Sequence, residues 1–143
     1  MKIKIGFTGT RRGMTRLQKN SLIKFLVNFQ VDEFHHGDCI GADEEAHELV
    51  DNSETESIQI HPPINSDKRA WCTAKYTKHV IWKPKPYIAR NHDIVDAIDI
   101  LIACPGESDE QLRSGTWSTI RYAKKKNKTI NIIFPDGSIK KGI

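Results

Sequence analysis

Long apolar runs are missing from this sequence. No stretch approaches the ~18 consecutive apolar residues that a membrane-crossing helix needs, so no membrane partner is expected. The opening residues, MKIKIGFTGT, run directly into a strand-like segment without the apolar stretch and cleavage site of a secretory leader. The expected location is the cytoplasm. Cysteine is scarce: Cys39, Cys72 and Cys104 form an odd set without CxxC spacing, which fits reduced thiols rather than a disulfide framework. His35, His36 and Cys39 stand close together, but no second ligand pair with zinc-like spacing follows, and no metal is expected. The dinucleotide fingerprint GxGxxG is absent, because GFTGTRRG follows the first apolar segment, and so is a phosphate loop ending in Gly-Lys-Ser/Thr. These absences argue against an NAD dehydrogenase and a P-loop ATPase. No cofactor is expected.

What is present suits one globular domain spanning 1–143, with 38% hydrophobic and 28% charged residues. The net charge of +4 matters less than its distribution. From Asp43 to Glu56 there are acids and no Lys or Arg; from Lys68 to Arg90 there are Lys and Arg and no acid. Such polarity either steers an anion to one side or marks two solvated faces.

Hydrophobic patterning alternates between strands and helices. Residues 3–8 read as a buried strand, and Thr15 with Gln18 as a capping box opening a helix with Leu17, Leu22, Phe25, Leu26 and Phe29 on one face. Further strands are expected at 31–36, 57–61, 99–104 and 129–134, with helices at 41–51 and 87–97 and across SGTWSTIRYAKKK. The stretch 64–86 reads as irregular and ends in the stiff KPKP run. The last residues read as a turn and a frayed or edge segment. Strands apolar on both faces and separated by helices predict an α/β fold: a Rossmann-like three-layer domain with a mostly parallel sheet of about five strands.

Open α/β sheets bind ligands beyond the carboxyl ends of their strands. Three such ends share small residues, hydroxyls and positive charge: Thr8–Thr15, His36–Asp43, and Pro105-Gly106 leading to Arg113–Trp117. Glycines admit backbone N–H groups close to an anion, and a helix N-terminus adds free donors and a positive dipole end. Ser114 and Thr116 add hydroxyls, while Arg11, Arg12 or Arg113 supply charge-assisted bonds to phosphate.

The segments GFTGTR, HGDCIGAD, ARNHDIVDAIDILIACPGE and RSGTWSTIRYAKKKNK, in this order from Ile3 to about Phe134, resemble the SLOG superfamily. That group includes cytokinin-activating phosphoribohydrolases, DNA-processing proteins of bacterial transformation and nucleotide-sensing domains of anti-phage systems. The resemblance is strongest to its small bacterial and phage proteins. It implies a Rossmann-like fold that binds nucleotides or their derivatives, often as a dimer. The family's hydrolases carry Pro-Gly-Gly-x-Gly-Thr-x-x-Glu after the fourth strand and an Arg in the preceding helix. Arg90 matches that Arg, but an insertion separates Pro105-Gly106 from Gly115-Thr116, and Thr119 stands where the catalytic Glu is expected. Glu107, Asp109 and Glu110 are the only nearby substitutes.

No catalytic residue is therefore expected. The expected phosphate and ligand contacts are Gly9, Thr10, Arg11, Arg12, Gly37, Asp38, Arg90, Ser114, Gly115, Thr116 and Trp117. Asp38 reads equally as a ribose contact or a turn residue, and Asp43 rather as a helix cap. Trp117 stacks on a base or fills a core or interface. Trp71, Tyr76 and Trp82, interleaved with lysines, would cover a ligand or contact another subunit; Lys124–Lys126 and Lys128 complement a helix C-terminus.

The function expected is non-catalytic binding, by sensing or sequestration, of a nucleotide-derived small molecule. A cyclic nucleotide or cyclic ADP-ribose-type immune signal is its concrete form, consistent with phage counter-defence. A homo-oligomer, dimer or larger, is the expected assembly. The alternative is a nucleotide-processing hydrolase, and nucleic-acid binding ranks third.

Overall fold

Ile5 and Phe7 of the first strand, β1 (Lys2–Gly9), point into one layer of the core. Gly6 between them faces the other layer, where Ile94 and Ile98 pack over it so closely that a Cβ would lie 2.5 Å from Ile98 Cδ1. The computed structural model describes residues 2–142 and sets this strand in a seven-stranded sheet. After β1 come α1 (Arg16–Leu26), β2 (Gln30–His36), α2 (Ala42–Asp51), β3 (Ser57–Ile60) and β4 (Lys78–Ile81). The chain continues through α3 (Tyr87–Ala97), β5 (Ile100–Cys104), α4 (Gly115–Lys125), β6 (Thr129–Ile133) and β7 (Ile139–Gly142). The strand order is β4-β3-β2-β1-β5-β6-β7, with β7 alone antiparallel to its neighbour.

The fold is the Rossmann-like three-layer α/β arrangement that the patterning predicts. β5 shows the layering residue by residue, since its side chains alternate between faces. Ile102 and Cys104 join Leu22, Phe34, Ala46 and Val50 in one core, whereas Leu101 and Ala103 join Val95, Trp117, Ile120 and Ala123 in the other. No described helix is long and apolar enough to cross a membrane.

Two strands exceed the expected count. β4 (KHVI) and β7 (IKKG) have no buried residue on either face, so neither carries an apolar alternation to reveal it. They exist through backbone pairing to β3 and β6, respectively. The Thr15–Gln18 capping box is present, and Gln18 does more than cap. Its buried Nε2 donates to Pro105 O (2.8 Å) and Ile133 O (2.9 Å), tying α1 to the ends of β5 and β6. The expected helical face is narrower than drawn. Leu17 is largely exposed, and Phe29 lies beyond the end of α1.

This topology determines where a ligand can sit. From β1 the chain winds outward through β2, β3 and β4, then α3 carries it back across to β5 on the other side of β1. The loops after β1 and β5 therefore diverge, opening a crevice at the carboxyl ends of the two strands.

Candidate functional site at the β1–β5 switch point

A cavity of about 520 Å³ occupies this crevice, within the range of small-molecule sites. Gly9, Thr10, Arg11 and Arg12 line it from the β1 loop, Gly37 from the β2 loop, and Arg90 from α3. Ser114, Gly115 and Thr116 line it from the start of α4. Segments that are far apart in sequence thus meet around one cavity.

The β1 and β2 loops interlock through backbone contacts. Thr10 O accepts from Gly13 N (3.2 Å) and Ala42 N (3.0 Å), while Thr10 N donates to Cys104 O (3.1 Å). Gly41, with φ +94°, passes so near the Arg11 backbone that only a residue without a side chain fits.

One end of the cavity is rich in donors. Ser114 Oγ caps α4 by accepting from Trp117 N (3.3 Å). The N–H groups of Gly115 and Thr116, in the first turn where no intrahelical acceptor exists, have no hydrogen bond among the described residues. Arg11 and Arg113 form no ion pair among the described residues; the Arg11 guanidinium lies 4.9 Å from the centre of the Tyr87 ring. Arg12 is paired with Glu107 (2.6 Å). Of the acids suggested as substitutes for the missing Glu, Glu107 lines the cavity while Asp109 and Glu110 do not. Thr119 Oγ1 donates to Gly115 O (2.9 Å), a helical bond that leaves no carboxylate at this position.

Two expected contacts turn away from the cavity. Asp38 is fully buried, and both of its oxygens are engaged: one accepts from Arg69 Nε (2.9 Å), the other from Cys72 N (2.9 Å). Its positive φ of 55° and these bonds make it the anchor of the 69–72 segment. Trp117 packs into the core between α3, α4 and the sheet, with Nε1 donating to Glu107 Oε1 (3.2 Å). Arg90 lines the cavity in a different role from a free phosphate arm. It is buried, its Nη1 donates to Gly37 O and to His61 O (3.1 Å), and its Nε donates to Asn91 Oδ1 (2.8 Å). It braces the floor, and Gly37 permits that approach, since a Cβ there would lie 2.4 Å from Nη1.

Asp43 is a cavity residue rather than the expected helix cap. The N-cap of α2 is Gly41, and Asp43 reaches back to the β2 loop instead of capping. Its Oδ2 accepts from Gly37 N (3.2 Å) and Cys39 N (3.3 Å), and Oδ1 has no partner among the described residues. Burial raises its pKa to about 6, against the opposing pull of Arg90. Tyr87 was not anticipated either. Its hydroxyl is buried without a hydrogen-bond partner among the described residues, on the cavity wall between Arg11 and Arg90. No periodic pattern marks such a residue, which follows the KPKP run.

Behind the floor lie two buried histidine pairs, and consecutive residues of β2 send them to opposite faces. His35 Nε2 bonds Glu33 Oε1 (2.8 Å) and Nδ1 bonds His61 Nε2 (2.8 Å). His36 and His47 lie with Cys72 in a buried group whose potential ligand atoms are all within 4.8 Å of one another. The hydrogen bonds oppose metal binding there. Asp38 N donates to His36 Nδ1 (3.0 Å), so His36 Nε2 carries the proton and donates to His47 Nδ1 (2.9 Å), whose Nε2 donates to Thr73 O (2.9 Å). Neither ring retains a free lone pair for a metal. His35 and His36 thus belong to different pairs, and Cys39 faces Arg90 instead.

The basic stretch is divided between the β2 loop, where Asp38 holds residues 69–72, the edge strand β4 and the cavity, where Arg90 lies. Its Trp71, Tyr76 and Trp82 are exposed and none lines the cavity. Trp71 stacks under Arg69 (3.7 Å to the ring centre) and Trp82 on His61 (5.4 Å between centres). Comparison with protein families, with curated proteins and with solved structures finds no match to this chain.

Proposed function

We propose that this chain binds and holds a phosphorylated, nucleotide-derived small molecule in the cavity at the β1–β5 switch point, without cleaving it. The observation that carries this reading is the donor set of the cavity: two open N–H groups at the start of α4 next to Arg113 in the chain, and Arg11 on the β1 loop, neither arginine neutralised by an acid among the described residues. Four arginines and two carboxylates line the cavity, leaving a positive excess suited to a phosphate dianion. The resemblance to the SLOG superfamily supports the same reading. It also supports assembly as a homo-oligomer and a role in sensing or sequestering a signalling nucleotide, including phage counter-defence against a cyclic nucleotide or cyclic ADP-ribose-type signal.

A hydrolase of the phosphoribohydrolase type is the second reading, and Asp43 is the observation that favours it. A buried carboxylate with a pKa of about 6 on a cavity wall has the properties of a general acid or base. Thr119 and the engaged oxygens of Glu107 leave it no second carboxylate.

Isothermal calorimetry against nucleoside monophosphates, cyclic nucleotides and ADP-ribose derivatives tests both readings, with chromatography of each ligand after titration. Binding of at least one ligand, recovered intact, is expected. Arg11→Ala and Arg113→Ala should each weaken that binding about 10- to 100-fold, the worth of a charge-assisted bond to phosphate. No heat with any ligand would overturn the proposal, and released base or ribose phosphate would establish the second reading.

A further inference from the structure

Donors dominate one end of the cavity, and the opposite wall carries an acceptor in need of one. Asp43 is 7% exposed and sits in the first turn of α2, on the β2 side of the crevice. The open start of α4 lies on the β5 side, with β1 between them. Two strand spacings, about 10 Å, therefore separate the loops that carry the two features. Such a cavity requires a ligand with an anion at one end and hydrogen-bond donors further along.

The acids around the crevice narrow the acceptor to one. Asp38 holds Arg69 and the Cys72 amide, and Glu107 holds Arg12 with one oxygen and Trp117 Nε1 with the other. Asp43 fixes only Oδ2, on the amides of Gly37 and Cys39. Those two bonds turn Oδ2 toward the β2 loop and leave Oδ1 as an acceptor without a protein donor among the described residues. A nearly buried carboxylate oxygen in this state gains most from hydroxyl donors on a bound ligand.

We infer that Asp43 accepts hydrogen bonds from the sugar hydroxyls of the bound nucleotide, so that the site selects ribonucleotides over 2′-deoxyribonucleotides. This rests on the nucleotide-binding reading above and adds to it the sugar class and the residue that reads it. Arg11, Arg113 and the α4 amides hold phosphate whichever sugar is present. Discrimination falls to Asp43, because a site that orients a buried acceptor toward a hydroxyl loses that bond with an analogue lacking it.

The test uses the full chain and four pairs of probes: AMP, GMP, CMP and UMP, each against its 2′-deoxy counterpart, titrated calorimetrically. Wild-type protein should bind the ribo form of its preferred base about tenfold or more tightly than the deoxy form. In Asp43→Asn the amide oxygen must face the Gly37 and Cys39 N–H donors, which turns the NH2 group toward the ligand. The ratio should then fall to near one, chiefly through weaker ribo binding. Arg113→Ala should weaken both members of a pair equally and keep the ratio. Circular dichroism melts of each variant separate misfolding from lost recognition. Equal affinity of wild type for ribo and deoxy forms overturns the role of Asp43 and leaves nucleotide binding standing. A change of base preference in Asp43→Asn with the ribo-to-deoxy ratio intact also overturns it, since the carboxylate would then read the base. Failure of all eight probes, together with the cyclic and ADP-ribose ligands, removes both proposals.

Discussion

Gly41→Ala should destabilise the fold by about 3 kcal/mol or more and abolish ligand binding with it. The backbone at Gly41 has φ +94° and ψ −128°, outside the left-handed helical region and open essentially to glycine alone, which costs another residue about 1–3 kcal/mol. The added Cβ would lie 2.3 Å from Arg11 O and 2.5 Å from Arg11 C, and backbone cannot swing aside as a side-chain tip can. Relief requires separating the β1 loop from α2, which breaks the Ala42 N to Thr10 O bond and moves Arg11. Overpacking of this kind adds about 1–3 kcal/mol. Gly115→Ala is the control at the same cavity. Nothing lies within 4 Å of a Cβ there, and alanine in a helix is favoured by up to about 1 kcal/mol. Urea unfolding should show a large loss for the first variant and little change or a gain for the second. Equal midpoints for Gly41→Ala and wild type would mean that the two loops do not interlock as described.

Mild acid, between pH 7 and pH 5, should weaken the protein. Burial lowers the pKa values of His35 and His36, and it pushes His61 down to about 3, with neighbouring positive groups adding to the effect at His36 and His61. Each histidine titrates near 6.5 when the chain unfolds, so below that pH the unfolded state binds protons that the folded state refuses. Stability is fully present above about pH 6.5 and is lost as pH falls. Asp43 acts in the opposite direction: with a folded pKa of about 6, it binds a proton more readily when folded, which adds stability as pH drops from 6 towards 4. His61, at about 3 when folded, contributes a loss of up to about 1.4 kcal/mol per pH unit between pH 6 and 5, which Asp43 offsets in part, and His36 and His35 add to the loss in the same direction. For a domain whose total stability is on the order of 5–15 kcal/mol, this moves the urea midpoint substantially. A midpoint unchanged between pH 7 and pH 5 would show that these histidines are not held neutral.

The interior strands and the helices were legible because burial leaves a period in the sequence. The short apolar run ILIAC, bounded by Asp99 and Pro105-Gly106, reads as a buried strand, and Thr15 with Gln18 marks a helix start. β4 was not legible, because KHVI buries nothing and owes its shape to β3. The same limit applies at the site. Arg11, Arg12 and the Ser114–Thr116 turn stand out locally, since positive charge, glycine and hydroxyls recur together at successive strand ends. Asp38 and Asp43 look alike in HGDCIGAD, and contacts distant in sequence distinguish them. Arg69 and Cys72, more than thirty residues on, draw Asp38 away from the cavity. Asp43 stays because its oxygen returns to Gly37 and Cys39 while Arg90, from α3, braces the same loop. Local sequence favours a helix cap at Asp43, and contacts from the β2 loop override it.

A cavity that holds its nucleotide without cleaving it should retain some of that nucleotide through purification. The most direct measurement is ultraviolet absorbance and mass spectrometry of the supernatant after denaturing freshly purified protein. The expected result is an intact phosphorylated nucleotide or derivative from wild-type protein, and a reduced amount from Arg11→Ala and Arg113→Ala. Nucleotide recovered in equal amounts from wild type and from both variants would contradict the site. Free base or ribose phosphate in place of the intact ligand would contradict binding without cleavage.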